Sequence, residues 1–268
     1  MQEDSAMNIV VCIKQVPDAE SVKFDREKGT LIRDGVKSVI NPFDYHAIEA
    51  ALTLKDELNA KVIAITMGPP QAEEAIREAM SMGVDEGVVI SDRAFAGSDT
   101  LATTYTLFKG IKKIGDVHAV FCGKQAIDGD TAQVGPGLAV RLGIPCVTNV
   151  SEMEVIDDGK ALRLKRMYEQ GYDIVEVDFP CLITTLSTMN TPRVPSLKAK
   201  MKAKKAKIPM WNAEDIGAET ARIGLSGSPT KVHSTYIPTF EAKKEFLEGS
   251  PEEQANALVE RLKEAGII

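Results

Sequence analysis

Aromatic residues are scarce in this chain: they make up 5% of its 268 residues, with a single Trp. That argues against the aromatic stacking platforms on which unpaired bases lie. Positive charge is not in excess either, since 32 Lys and Arg stand against 39 Asp and Glu, a formal charge of −7. Such a balance exerts no long-range pull on nucleic acid or on an anionic membrane surface. No uninterrupted apolar run approaches the roughly 20 residues of a membrane span. The opening stretch, MQEDSAMNIV, has no basic region followed by an apolar core, so no secretory signal is read there. Met7 is a candidate second start, with residues 1–6 an extension. The four cysteines (Cys12, Cys122, Cys146, Cys181) form no C-x-x-C pair, and Cys12 and Cys122 fall in apolar runs where reduced cysteine packs as a small hydrophobe. The three histidines, His46, His118 and His233, lack metal-ligand spacing. Also missing are a G-x-G-x-x-G after the first strand, a G-x-x-x-x-G-K-[ST] loop and a G-x-S-x-G elbow. The expectation is a cytoplasmic protein without disulfides or metal, and with neither a Rossmann fingerprint, a P-loop nor a nucleophile elbow.

What is present is a regular alternation. Asn8–Lys14 is an apolar, β-branched run, and the following VKFDREKGTLIRDGV is hairpin-like, with Gly29 and Asp34-Gly35 as turn signals. Helical spacing runs from Phe43 to Asn59, Lys61–Met67 is a second strand, and Gln71–Met82 a second helix between Pro69-Pro70 and Gly83. Val88–Ile90 is a third strand and His118–Cys122 a fourth. The helices around the latter are expected at about Asp99–Ile114, with Ser98 as N-cap, and at about Thr131–Leu142. Apolar strands separated by amphipathic helices predict a mostly parallel sheet covered on both faces, an α/β fold. Antiparallel additions follow: Cys146–Ile156 and Ala161–Met167 around Asp157-Asp158-Gly159, then Asp173–Val177 and Cys181–Leu186. Beyond Asn190 periodicity fades. The expected division is therefore an α/β domain over 1–190 and, over 191–268, a loop, a Lys-rich segment and a C-terminal arm laid on a partner subunit, closed by a helix near Pro251–Ala265.

The most informative stretch is Gly123–Gly137, GKQAIDGDTAQVGPG, placed at the carboxyl edge of a parallel strand where open α/β sheets bind ligands. Asp128, Gly129, Asp130 and Thr131 are expected to open a helix whose free N–H groups and dipole favour a phosphate, with Lys124 available to neutralise charge. The plain alternative is an ordinary helix start in which Asp130 and Gln133 form a capping box. It accounts for those two residues but not for the polar, glycine-rich length around them. Asn41-Pro42-Phe43-Asp44, Met67-Gly68-Pro69 and Ser98-Asp99-Thr100 are ordinary turn and cap sequences taken singly, yet all four loops fall at one edge of the sheet. The lysines crowded between Lys198 and Lys207 are compatible with a plain solvated stretch, a nucleic-acid patch or the docking of an acidic protein, behind prolines 192 and 195 that stiffen the preceding loop.

Six blocks in order, NIVVCIKQVPD, VINPFDYHAIEAAL, ITMGPPQA, GKQAIDGDTAQVGP, NTPRVPSL and MKAKK, resemble the β subunit of electron-transfer flavoproteins. The resemblance runs from Met7 to about Lys207 and, more loosely, on to the C-terminal helix. It implies an adenine-nucleotide α-hydrolase-like α/β fold in a heterodimer with an α subunit, around which the C-terminal arm wraps. Some members hold structural AMP; electron-bifurcating members hold FAD on the β chain, take a hydride from NADH, and send one electron to a ferredoxin or flavodoxin and the other through the α-subunit FAD to a flavin-containing dehydrogenase. Gly129, Thr131 and Pro136, with Asp44 and the segment AGSDTLATT, look like the bifurcating type. By the same resemblance, Cys12, Lys14, Asn41, Asp44, Met67 and Gly68 lie along the nucleotide. Gln125, Ala126, Asp128, Gly129, Asp130, Thr131, Gln133 and Val134 hold its phosphates and ribose, and Thr100 and Thr103 reach the flavin end. Leu197 matches the leucine that docks the dehydrogenase, with Arg193, Lys202 and Lys205 beside it. A nucleotide-responsive regulatory protein or hydrolase on the same fold is the more distant alternative. No residue of the chain is expected to act as a catalytic acid or base.

Overall fold

The computed structural model describes residues 7–18, 23–25, 30–32, 38–233 and 244–268. The chain opens with β1 (Asn8–Cys12), then the short strands β2 (Gln15–Pro17), β3 (Lys23–Asp25), β4 (Thr30–Ile32) and β5 (Ser38–Ile40). Helices and strands then alternate through α1 (Pro42–Leu58), β6 (Lys61–Met67), α2 (Glu73–Met82), β7 (Glu86–Ile90), α3 (Thr100–Ile114), β8 (Val117–Gly123) and α4 (Val134–Leu142). There follow β9 (Cys146–Ile156), β10 (Ala161–Tyr168), β11 (Gly171–Asp178), β12 (Cys181–Thr185), α5 (Leu197–Lys205), β13 (Met210–Trp211) and α6 (Pro251–Glu264).

The main sheet has the order β11-β10-β9-β12-β8-β1-β6-β7-β13. Every neighbouring pair from β9 to β13 is parallel, and only β10 runs antiparallel, between β9 and β11. The fold is the expected one, a mostly parallel α/β sheet with antiparallel additions. Strand alternation sorts its side chains into two cores: Ile9, Val11, Ala64 and Phe121 pack with α1 and α2, while Val10, Ile65, Val120 and Leu182 pack with α3 and α4. Both faces are thus covered, which is why the central strands are apolar throughout. From β1 the chain adds β6 and β7 on one side, then returns to place β8 on the other. The strand order reverses between β1 and β8, and the carboxyl ends of strands at such a reversal are where open α/β sheets bind ligands.

Local details differ from the expected boundaries. α4 begins at Val134 rather than Thr131, because Asp130 and Ala132 sit in the left-handed region (φ 53° and 54°) and cannot belong to a helix. α3 is capped by Asp99, not Ser98. The Asp99 carboxylate accepts from Leu101 N–H at 2.9 Å and Ala102 N–H at 3.0 Å, while the Ser98 hydroxyl donates to Phe95 O at 2.7 Å. A 3-10 turn, Pro70–Ala72, precedes α2, which starts at Glu73. β3 and β4 pair antiparallel, Lys23 opposite Ile32, whereas the turn residues Gly29 and Asp34-Gly35 lie outside the described residues, as do residues 1–6.

The stretch after Asn190 divides. Met1–Lys231 forms one unit and Val232–Ile268 another. Within the first, α5 packs on α2, β13 extends the sheet beside β7, and Ile216 and Ile223 are buried in the α3/α4 core. The lysine stretch up to Lys205 forms α5, and residues 191–231 are laid on the chain's own α/β body. Gly224 (φ 53°) belongs to that seam: a Cβ there would lie 2.2 Å from Ala94 O. The second unit contributes one described helix, α6, whose Ser250 and Glu253 form a capping box. Among the described residues no helix is long and apolar enough to cross a membrane, and no cluster of His, Cys, Asp and Glu suits a metal ion. All four cysteines are free thiols.

Candidate functional site

Three segments converge where the strand order reverses: the end of β1 through Lys14, the start of α1, and the loop that leaves β8. Asn41 is their hinge pin. Its side chain, 1% exposed, donates to Asp44 Oδ1 at 2.9 Å and to Gln125 O at 2.8 Å, and its Oδ1 accepts from Ile127 N–H at 3.1 Å. Its backbone N–H donates to Lys14 O at 2.8 Å. One residue thereby ties both strand exits to the helix. Asn is suited to this, for its amide donates and accepts at once.

Asp44 completes the tie from the first turn of α1. Its carboxylate accepts from Lys14 N–H at 2.7 Å and from Asn41, and also from the Gly123 backbone. Burial pushes its pKa up to about 7, against the pull of the Asn41, Lys14 and Gly123 hydrogen bonds and the Lys14 charge. Gly123 is needed for that approach: a Cβ there would stand 2.3 Å from Asp44 Oδ1 and 2.7 Å from Phe43 Cβ. Cys12 and Cys122 face each other across the β1–β8 ladder. The hydrogen bond it makes to Cys12, then burial, raises the Cys122 thiol well above its usual range, so it is a packing group rather than a nucleophile.

The outer part of the loop is polar and accessible. Residues from Ile127 to Gln133 are exposed. The Lys14 ammonium meets the Asp128 carboxylate with both oxygens at 2.7 Å, and the Gln125 amide donates to Asp130. Gln133 accepts from the Thr100 hydroxyl at 2.9 Å, joining the start of α3 to that of α4; Thr103 lies one turn along, half-buried. The capping box between Asp130 and Gln133 does not form, and α4 has no side-chain cap. Gly135 sits against β12, since a Cβ there would meet Thr184 Cγ2 at 2.6 Å. The opening N–H groups of α4 have no side-chain cap, and free N–H groups at a helix start suit a phosphate group. Met67 and Gly68 end β6 at the same edge, with Gly68 N–H bonded to Ile90 O at 3.1 Å. At that end the Thr66 hydroxyl is fully buried and has no hydrogen-bond partner.

The expected site residues thus lie at the carboxyl edge of neighbouring strands, and hydrogen bonds join Lys14, Asn41, Asp44, Gln125 and Asp128 directly. Of the docking residues, Leu197 opens α5 and is 76% exposed, with Lys202 and Lys205 further along that helix. Arg193 is turned inward, its guanidinium on Glu49 and Asp56. Pattern reading places Gly123 at the head of the informative loop without its contact with Asp44, and it passes over Glu49. The signal for that contact is the glycine itself at the end of an apolar strand, where no side chain fits against Asp44. Glu49 has none, because its partner lies 144 positions away.

Residues 28–216 match the electron transfer flavoprotein domain. Over 262 residues, 98% of this chain and all of the relative, the sequence is 50% identical to "Electron transfer flavoprotein subunit beta" of Clostridium acetobutylicum. It is 48% identical to "Caffeyl-CoA reductase-Etf complex subunit CarD" of Acetobacterium woodii, over 98% of this chain and 100% of that one. To "Protein FixA" of Bradyrhizobium diazoefficiens the identity is 43%, over 96% and 91% of the two chains. These matches span nearly the whole chain, and the chain belongs to the electron transfer flavoprotein β-subunit family.

Proposed function

We propose that this chain works as the β subunit of a heterodimer with an electron transfer flavoprotein α subunit, and that its β1/β8 rim holds FAD. NADH is the electron donor; one electron is passed to a ferredoxin or flavodoxin and the other, through the α-subunit FAD, to a flavin-containing dehydrogenase. The observation that carries the nucleotide reading is the exposed polar loop at the strand-order reversal, pinned by Asp128 to Lys14 and leading into the uncapped start of α4. FAD rather than AMP is favoured by Gly129, Thr131, Pro136 and Asp44, and by the Ala96–Thr104 segment, where this chain looks like bifurcating members.

The residues present fit an adenylate-bearing dinucleotide. Lys14 is positioned to exchange Asp128 for a phosphate, the α4 N–H groups and the Thr131 hydroxyl donate toward the same charge, and Asn41 and Asp44 hold the rim in shape. Thr100 and Thr103 line the far side. Flavin, when bound, supplies hydride acceptance from a nicotinamide and the release of single electrons. The chain's part is to bind it, orient it and set its polar surroundings.

The test is extraction and chromatography of the nucleotides from the co-purified αβ complex. Two FAD per heterodimer is expected. One FAD with one AMP would overturn the FAD assignment in favour of the structural-AMP type, and a stable monomer without flavin would overturn both. A second expected result concerns Leu197. Leu197→Ala in the αβ complex should slow electron delivery to the dehydrogenase roughly tenfold or more, as loss of an exposed apolar anchor does, with bound flavin unchanged. Stopped-flow reduction of the dehydrogenase reads it, and an unaltered rate refutes the docking role.

A further inference from the structure

Helix α1 does more than frame the rim. Along one of its faces, at spacings of three, seven and ten residues from His46, stand Glu49, Thr53 and Asp56, and three of these four hold the segment after Asn190. His46 Nδ1 lies 3.1 Å from Asn190 O and 3.0 Å from its Oδ1, and Asn190 Nδ2 donates back to His46 O at 2.9 Å. Glu49, 8% exposed, accepts from Arg193 N–H at 2.8 Å, from Nε at 3.0 Å and from Nη2 at 3.0 Å. Asp56 takes the other guanidinium contact at 3.0 Å. Main chain and side chain of one loop residue are captured together by a single buried carboxylate, which fixes the loop backbone.

The far end of the same segment is fastened by α2. Arg77 Nη1 donates to Ala203 O, Lys204 O and Ala206 O at 2.7, 2.9 and 3.0 Å, closing the carbonyl end of α5, and its Nε is held by Glu73 at 2.9 Å. Between the two fastenings the apolar side chains point away from the body: Val194 is 90% exposed, Leu197 76% and Met201 57%. Five lysines and no acid share α5 with Leu197 and Met201, on a chain that is acidic overall.

We propose that Glu49 and Arg77 are positioning residues for partner docking: they hold Asn190–Ala206 so that Val194, Leu197 and Met201 stand as one apolar row, ringed by lysine, for a flavin-containing dehydrogenase with an apolar pocket and an acidic rim. The inference rests on the docking reading of Leu197 given above. Its physical content is preorganisation. A segment ordered beforehand does not have to be ordered on binding, so loosening it weakens docking without touching the steps that follow. The charge of the lysine row selects the acidic partner and speeds encounter.

The experiment uses the αβ complex in four forms: wild type, Glu49→Gln, Arg77→Gln and Leu197→Ala. Amide hydrogen exchange is read over residues 190–206, and electron transfer is titrated with the flavin dehydrogenase that the wild-type complex reduces. Glu49→Gln and Arg77→Gln are each expected to speed exchange in their end of the segment and to raise KM for the dehydrogenase about tenfold, an affinity loss typical of lost preorganisation, with kcat and bound nucleotide unchanged. Leu197→Ala should raise KM with no change in exchange. If both fastening variants leave exchange or KM as in wild type while Leu197→Ala raises KM, the positioning role is overturned and the docking reading stands. If Leu197→Ala also leaves KM unmoved, the docking reading falls and takes this inference with it. Should Glu49→Gln fail to fold, Arg77→Gln tests the same claim at the other end.

Discussion

Asn41→Ala is expected to empty the rim of nucleotide and to destabilise the fold by roughly 3 kcal/mol or more, since three buried or part-buried groups lose their partner at about 1–3 kcal/mol each. The substitution removes the donors to Asp44 Oδ1 and Gln125 O and the acceptor for Ile127 N–H in one step. Asp44 then keeps a buried carboxylate with fewer hydrogen bonds, and its burial penalty is less compensated. The loop that leaves β8 loses its link to α1, so the exposed residues from Ile127 to Gln133 no longer have a defined place beside Lys14. Urea denaturation of the αβ complex measures the first effect and flavin absorbance after gel filtration the second. Retention of wild-type flavin content by a folded Asn41→Ala complex would show that the rim is not held by this residue.

Much of this architecture was legible in the residue order. Apolar strands at Asn8–Cys12, Lys61–Met67 and Val117–Gly123, with amphipathic helices between, leave little choice but a parallel sheet with both faces covered, and the structure has that sheet. The helix starts were less legible, for a reason visible at α4. Asp130 and Ala132 adopt positive φ, and nothing in their chemistry announces it: Asp is tolerated there, Ala is not favoured, and the surrounding contacts impose it. At α3 two adjacent candidates, Ser98 and Asp99, were both good caps; tertiary bonds from the Gly224 and Thr230 backbones decided which did what.

Long-range ties were the least legible. Lys14 with Asp128, Asn41 with Ile127 and Glu49 with Arg193 are separated by 114, 86 and 144 positions. Periodicity speaks only of local faces, and such pairs become readable only once strand order brings them together. The segment after Asn190 shows the same limit. Its weak periodicity reads as an arm seeking a partner, yet up to Lys231 it finds its support on α2, α3 and β7 of its own chain. A sparse apolar pattern says that a segment needs a surface, not whose surface it is.

Asp44→Asn is expected to remove most of the pH dependence of stability between about pH 4 and 7. The folded pKa of Asp44 is about 7, raised from 3.8 by burial. The folded chain therefore binds a proton that the unfolded chain has released in that interval, and stability contributed by this group is full below pH 3.8 and lost as pH rises through 7. At about 1.4 kcal/mol per pKa unit the loss amounts to roughly 4 kcal/mol. It runs opposite to the usual carboxylate, which stabilises at neutral pH and fails in acid. Above pH 7 the ionised form persists because Lys14 N–H, the Asn41 amide and the Gly123 backbone all donate to it, so the strain is borne at the point where the two central strands release their loops. Asn cannot ionise, and its slope should be nearly flat, although its amide presents donors where Lys14 and Gly123 also donate and its stability at low pH should be lower than wild type. Chemical denaturation of both αβ complexes from pH 4 to 8 reads the slopes. A wild-type curve that rises with pH across this window, or an equal slope in Asp44→Asn, would place the titrating group elsewhere.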